Sequence, residues 1–181
     1  HRDLHSFPTR RSSDLVLACA AAPGGARLAS AGSDGTVRLW DTATGKAIAV
    51  LSGHQGWWVL ACAFAPDGAC LASAGQDGTV RLWDAGTGKA IAVLFGHQGP
   101  WGREGSVNAC AFAPNGTCFA SAGQDGTVRL WDRRTDTGED PLAVLTGHWG
   151  EVKACAFAPD GARLVSAGED GTVRLWDTAT G

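Results

Sequence analysis

Residues 73–84 read SAGQDGTVRLWD, and the same twelve residues return unchanged at 121–132. Near-copies stand at 30–41 and 166–177, so eleven of the twelve positions are identical in all four. Only the residue before the first Asp differs: Ser33, Gln76, Gln124 and Glu169. A unit that returns every 43 to 48 residues marks a repeat architecture, in which each copy is one supersecondary unit stacked on the next.

Working outward from the second copy, Val59 to Ala65 is an apolar run that closes on Pro66-Asp67-Gly68. Proline fixes φ there, and glycine supplies the freedom to reverse the chain. Cys70 to Ala74 forms the next run, and Gln76-Asp77-Gly78 is a strong short-range hairpin signal. Thr79 to Asp84 alternates, with Val80 and Leu82 on one side, and a turn around Gly88 leads to Ala90 to Leu94. Four short strands fill the repeat and leave no room for a three-turn helix, so the expected class is all-β. Most of the 26 glycines fall at fixed repeat positions where a turn requires positive φ.

The 181 residues are 44% hydrophobic, enough for a sizeable core. The net charge is -3, with Lys and Arg scattered singly, so neither nucleic acid nor an acidic membrane surface is an expected partner. No apolar run approaches the roughly 18 residues of a membrane-spanning helix. Cys19, Cys62, Cys110 and Cys155 recur once per repeat inside apolar runs, and Cys70 and Cys118 begin the next runs. They lack metal-ligand spacing and read as small buried hydrophobes in a reducing compartment, with no metal or cofactor expected. Arg10 and Arg11 before LVLACAAAP imitate a secretory leader, but that run aligns with Val59 to Gly75 and is therefore a repeat strand.

Gly53-His54, Gly96-His97 and Gly147-His148 follow the fourth strand of the first three repeats. Together with Trp40-Asp41, Trp83-Asp84, Trp131-Asp132 and Trp176-Asp177, they resemble the Gly-His to Trp-Asp signature of the WD-repeat (G-protein beta-like) family over residues 15 to 181. The resemblance implies a partial β-propeller of four-stranded blades, strand one innermost and strand four outermost. The blades are expected at 15–51, 59–94, 106–145 and 151–177, the last without its outer strand. On this reading the chain is a fragment of a larger propeller, and its remaining blades are an expected partner. Residues 1–14 match no part of the repeat and resemble the translation of a sequencing-library adapter. They are expected to be a disordered artefact.

The family pattern also implies a hydrogen-bonded tetrad in each blade: Asp77-His54-Ser73-Trp83, Asp125-His97-Ser121-Trp131 and Asp170-His148-Ser166-Trp176. Blade one has Ser30, Asp34 and Trp40 but no matching His, so its network is expected to be incomplete. A Ser-His-Asp set invites a hydrolase reading, since a base near a hydroxyl activates a nucleophile. Recurrence in every blade and termination on an indole favour a buried structural chain instead, with no catalytic residue.

The same resemblance places the loops from strand four to strand one, and from strand two to strand three, on one face where partners often bind. That face would carry Trp57, Trp58, Leu60 and Gln76, then Trp101, Arg103, Asn108 and Gln124, then Trp149, Glu151, Lys153 and Glu169. Four of the eight tryptophans lie in these loops. Tryptophan and arginine are favoured at interface hot spots. The third blade has the longest entry segment, through Pro100 to Glu104, and an extended connection RRTDTGEDP, and such insertions are frequent seats of function. The function implied is a non-catalytic scaffold for a protein or peptide, in the cytoplasm or nucleus. The alternatives are a regulatory propeller of a multidomain signalling NTPase or kinase, and a hydrolase.

Overall fold

The computed structural model describes residues 14–99, 105–134 and 140–180. The first repeat gives β1 (Val16–Ala21), β2 (Arg27–Gly32), β3 (Thr36–Asp41) and β4 (Ala47–Ser52). The second gives β5 (Val59–Phe64), β6 (Cys70–Gly75), β7 (Val80–Asp84) and β8 (Ala90–Leu94). The third gives β9 (Val107–Phe112), β10 (Cys118–Gly123), β11 (Thr127–Asp132) and β12 (Ala143–Thr146). The fourth gives β13 (Val152–Phe157), β14 (Arg163–Gly168) and β15 (Val173–Asp177).

Each repeat folds into its own antiparallel meander, so the chain forms three four-stranded sheets and one three-stranded sheet. The first strands β1, β5, β9 and β13 pack beside one another in succession, which makes them the inner strands of a partial propeller. All described elements are strands, as the repeat pattern predicts. No helix among the described residues is long and apolar enough to cross a membrane.

The pleat separates two chemically different faces on every sheet. In the second sheet Cys62, Ser73, Arg81 and Val93 are in register across β5 to β8 and share one face. The other face carries Ala72, Ala74, Val80, Leu82, Ala92 and Leu94, all buried. Those aliphatic groups meet Val107, Phe119 and Trp131 of the third sheet. The core is therefore a series of layers between sheets, repeated between the first and second and between the third and fourth. Cys62, Cys110 and Cys155 pack in these layers as expected. Cys19 differs and is exposed, because it lies on the outer face of the first sheet.

Register breaks once near the start of each inner strand, between Val16 and Ala18, Val59 and Ala61, and Val152 and Ala154, and in β9 where it passes from Val107 to Ala109. The unpaired residues are Leu17, Leu60, Asn108 and Lys153. A bulge of this kind re-aims one side chain without disturbing the rest of the strand.

Candidate partner-binding face

Each tetrad is built from four elements that the sheet brings to one end. In the second repeat His54 comes from the connection entering β5, Ser73 from β6, Asp77 from the β6–β7 turn, and Trp83 from β7. Trp83 Nε1 donates to Ser73 Oγ at 2.9 Å, Ser73 Oγ lies 2.8 Å from His54 Nε2, and His54 Nδ1 lies 2.9 Å from Asp77 Oδ1. The third repeat repeats this through Trp131, Ser121, His97 and Asp125 at 2.9, 2.7 and 2.9 Å. In the fourth, Trp176, Ser166, His148 and Asp170 are joined at 2.8, 2.8 and 3.0 Å. In the first, Trp40 Nε1 donates to Ser30 Oγ at 2.9 Å, and Thr36 donates to Asp34 through its backbone N–H and its hydroxyl. The residues that precede Asp14, where a histidine of this network would have to come from, lie outside the described ones.

Donor and acceptor roles follow from chemistry. A carboxylate only accepts, so Nδ1 carries the ring proton; Nε2 then accepts from the serine hydroxyl, whose oxygen receives the indole N–H. Ser73 is fully buried, and both its proton and its acceptor capacity are used inside the protein. A nucleophile needs access to its substrate, and this hydroxyl has none. The arrangement is a strut between loop, turn and two strands.

Burial pushes the Asp77 carboxyl up, but the hydrogen bond from His54 and the two bonds from Thr79 outweigh it and leave it below its ordinary value. The same balance holds Asp125 well below the ordinary carboxylate range through His97 and Thr127. Asp170 is lowered chiefly by the backbone N–H of Trp149 and by Thr172. Burial raises the Cys110 thiol far above its usual value and pushes Cys155 up to about 12, so these thiols are unsuited to metal or nucleophilic chemistry. No group of three or more metal-ligating side chains that could hold an ion occurs among the described residues.

The strand-two to strand-three turns sit against the entries of the first strands. Gln76 N donates to Trp58 O, Gln124 N to Ser106 O, Glu169 N to Glu151 O, and Ser33 N to Leu15 O. These loops therefore share one rim. On it Trp57, Trp58, Trp149, Lys153 and Glu169 are exposed, with Trp57 at 57% and Trp149 at 86%. Leu60, Gln76, Asn108, Gln124 and Glu151 are half-buried. Trp101 and Arg103 lie outside the described residues, as does most of the RRTDTGEDP connection.

Three of the half-buried residues do more than line the rim. Glu151 accepts from Gln124 Nε2 at 3.0 Å, from Asn108 Nδ2 at 3.4 Å and from Lys153 Nζ at 2.6 Å. Lys153 also pairs with Glu169 at 2.8 Å. The candidates thus join the third and fourth sheets to each other. Two positions not among the partner-binding candidates, Leu17 and Ser33, complete the bulge and turn series in the first repeat. Alignment with Leu60 and Gln76 was the signal that could have found them.

Compared with known proteins, the family model for the WD domain, G-beta repeat (WD40) matches residues 2–41, 45–84, 88–132 and 139–177. The second match takes in β4 to β7, so the bounds of one family match run from the outer strand of one sheet through three strands of the next. A 53-residue stretch, 26% of this chain, is 45% identical to ribosome biogenesis protein BOP1 of Rattus norvegicus. The human protein of the same name is 43% identical over 53 residues. Each match spans 7% of the relative's length. With four family matches that fill most of its length, and with a meander of three or four strands for each repeat, the chain belongs to the WD-repeat family.

Proposed function

We propose that this chain is a non-catalytic scaffold that holds a protein or peptide on the rim formed by the strand-four to strand-one and strand-two to strand-three loops. WD-repeat domains in general serve as protein-interaction scaffolds. The observation that carries the reading is the contrast between two sets of tryptophan. Trp83 and Trp131 of the Trp-Asp pairs are buried and spend their N–H groups on serine, while Trp57, Trp58 and Trp149 present their indoles to solvent. Three large exposed aromatics on one rim cost solubility and add little to the fold, which fits a binding role. The buried, doubly committed serines favour this over the hydrolase reading.

Six free thiols suit a reducing compartment, and we place the chain in the cytoplasm or nucleus. The short likeness to a ribosome biogenesis protein makes the nucleus the compartment to examine first.

Panning a random peptide library against the purified chain tests the reading. Selected peptides should lose at least about tenfold in affinity, ~1.4 kcal/mol, when Trp57 and Trp149 are both changed to Ala, with thermal stability unchanged. Peptides that bind the double variant as well as the wild type overturn it.

A further inference from the structure

The connection entering β5 differs from its counterparts in what it holds out to solvent. Just before the inner strand the fourth repeat has Glu151 and the third Ser106, while the second has Trp57 and Trp58, 57% and 43% exposed. Their backbone is fixed from both sides. Trp57 N donates to His54 O at 2.8 Å across a turn whose central residues, Gln55 and Gly56, have φ of 47° and 84°. Among the described residues Gln55 is the only one other than glycine in that left-handed region, which L side chains seldom enter. A Cβ on Gly35 would lie 2.7 Å from Gly56 N, so the β2–β3 turn of the first sheet packs directly on this turn. From the other side Gln76 N donates to Trp58 O at 2.9 Å. Both flanking sheets belong to the chain, so a further repeat at either end would not take this place.

The side chains of this patch are not spent on the fold. In the third repeat the matching Gln124 donates through Nε2 to Glu151 and accepts through Oε1 from Ser106 N. Within the described residues no hydrogen bond reaches the side-chain amide of Gln76 or the indole N–H of Trp57 or Trp58. The carboxylates nearby are committed, Asp34 to Arg38 and Asp77 to His54. The patch is therefore uncharged, aromatic and rich in donors: two indole N–H groups and an amide NH₂ stand against a single amide carbonyl.

We propose, on the scaffold reading of this rim, that Trp57, Trp58 and Gln76 seat a proline-rich segment of the partner in the polyproline II conformation. Such a segment has no internal hydrogen bonds, so its carbonyls are free to accept from the indoles and the amide. Proline carries no N–H, so it brings no donor to a surface that has almost no acceptor for one. Its ring lays an apolar face on the indoles, and its backbone is already extended, which keeps the ordering cost low. A strongly charged peptide would find no free counter-charge here. An oligosaccharide also stacks on indoles, but its many hydroxyl donors would share the one carbonyl of Gln76.

Titration of fluorescein-labelled decaproline with the purified chain, read by anisotropy, tests this beside a labelled Gly-Ser decapeptide and beside cellohexaose read by indole fluorescence. Decaproline should bind saturably, and the other two should not. Trp58→Ala should weaken decaproline at least about tenfold and Gln76→Ala about threefold, with circular dichroism unchanged. If Trp58→Ala loses the fold, Gln76→Ala decides, because its amide has no partner in the protein to lose. Decaproline that fails to bind, binds no better than the Gly-Ser peptide, or binds Gln76→Ala as well as wild type overturns the proposal, as does cellohexaose binding in its place. Library-selected peptides that need the rim tryptophans but lack proline overturn the proline-rich ligand and leave the scaffold function standing. Failure of every peptide, decaproline included, removes both.

Discussion

Gly75 is a glycine for a reason that its turn-like surroundings conceal. Its φ is not in the left-handed region, unlike that of Gly78 three residues later, which has φ of 75°. A Cβ built on Gly75 would lie 2.5 Å from His54 Nδ1 and 2.9 Å from Asp77 Oδ1. The residue keeps space for the imidazole, whereas Gly78 serves the hairpin; composition and position alone assign both to turns. The carboxylate bonded to that imidazole has a thermodynamic role that can be measured in the third repeat. Burial raises the Asp125 carboxyl, and His97 and Thr127 more than compensate, so its folded-state value falls below the unfolded one of about 3.9. A depressed carboxyl contributes stability that is fully present above the unfolded value and is lost as pH falls through the folded one. Thermal unfolding followed from about pH 5 down to pH 2 should therefore show a steep loss in the wild type and a shallower one in Asp125→Asn. Parallel acid limbs for the two proteins would contradict this. The residue types of the tetrad were legible in the sequence through a family resemblance. Recurrence in every blade and termination on an indole already favoured a strut over a catalyst, and what the sequence lacked was the burial that leaves nothing able to reach the serine.

At the scale of elements, the inner-strand bulge decides which side chains reach the rim. Leu60, Asn108 and Lys153 vary among the repeats, and all three fall at the residue that strand pairing skips. Alternation along VLACAF or VKACAF gives no sign of the skip, since a bulge changes pairing and leaves composition untouched. Glu151, just ahead of β13, collects bonds from Asn108, Gln124 and Lys153 and so ties the third sheet to the fourth. The group is partly solvated, so its contribution is that of a surface network, of order 1 kcal/mol. Glu151→Ala should lower the melting temperature by about 2–4 °C, the shift that such a loss gives in a chain of this size, as read by scanning calorimetry. An unchanged melting temperature would show that the ties hold no net stability.

For the whole molecule, stability is spread as in other repeat proteins, each sheet depending on its neighbours. The second and third sheets have packed partners on both faces, while β15 has a paired strand on one edge and exposed apolar groups on its face. Amide exchange should therefore be slowest in β6, β7 and β10 and markedly faster in β15, with mass spectrometry of peptic fragments as the measurement. Uniform protection across the four repeats would mean that the terminal sheet draws stability from a source outside the layers described.

What the sequence determined by itself was the unit and its class. A twelve-residue stretch kept at eleven positions sets the strands, their turns and the alternation of faces, because those depend on local φ preferences and a period of two. The tertiary structure decided what individual residues do where strands and sheets meet. Ser73 became a buried acceptor, Gly75 a spacer and Glu151 an inter-sheet tie, because burial and contact between residues distant in the chain arise only when sheets stack. The same stacking separates the buried tryptophans of SAGQDGTVRLWD from the exposed ones on the rim. Side-chain chemistry is identical in both sets, and the packing around them alone differs.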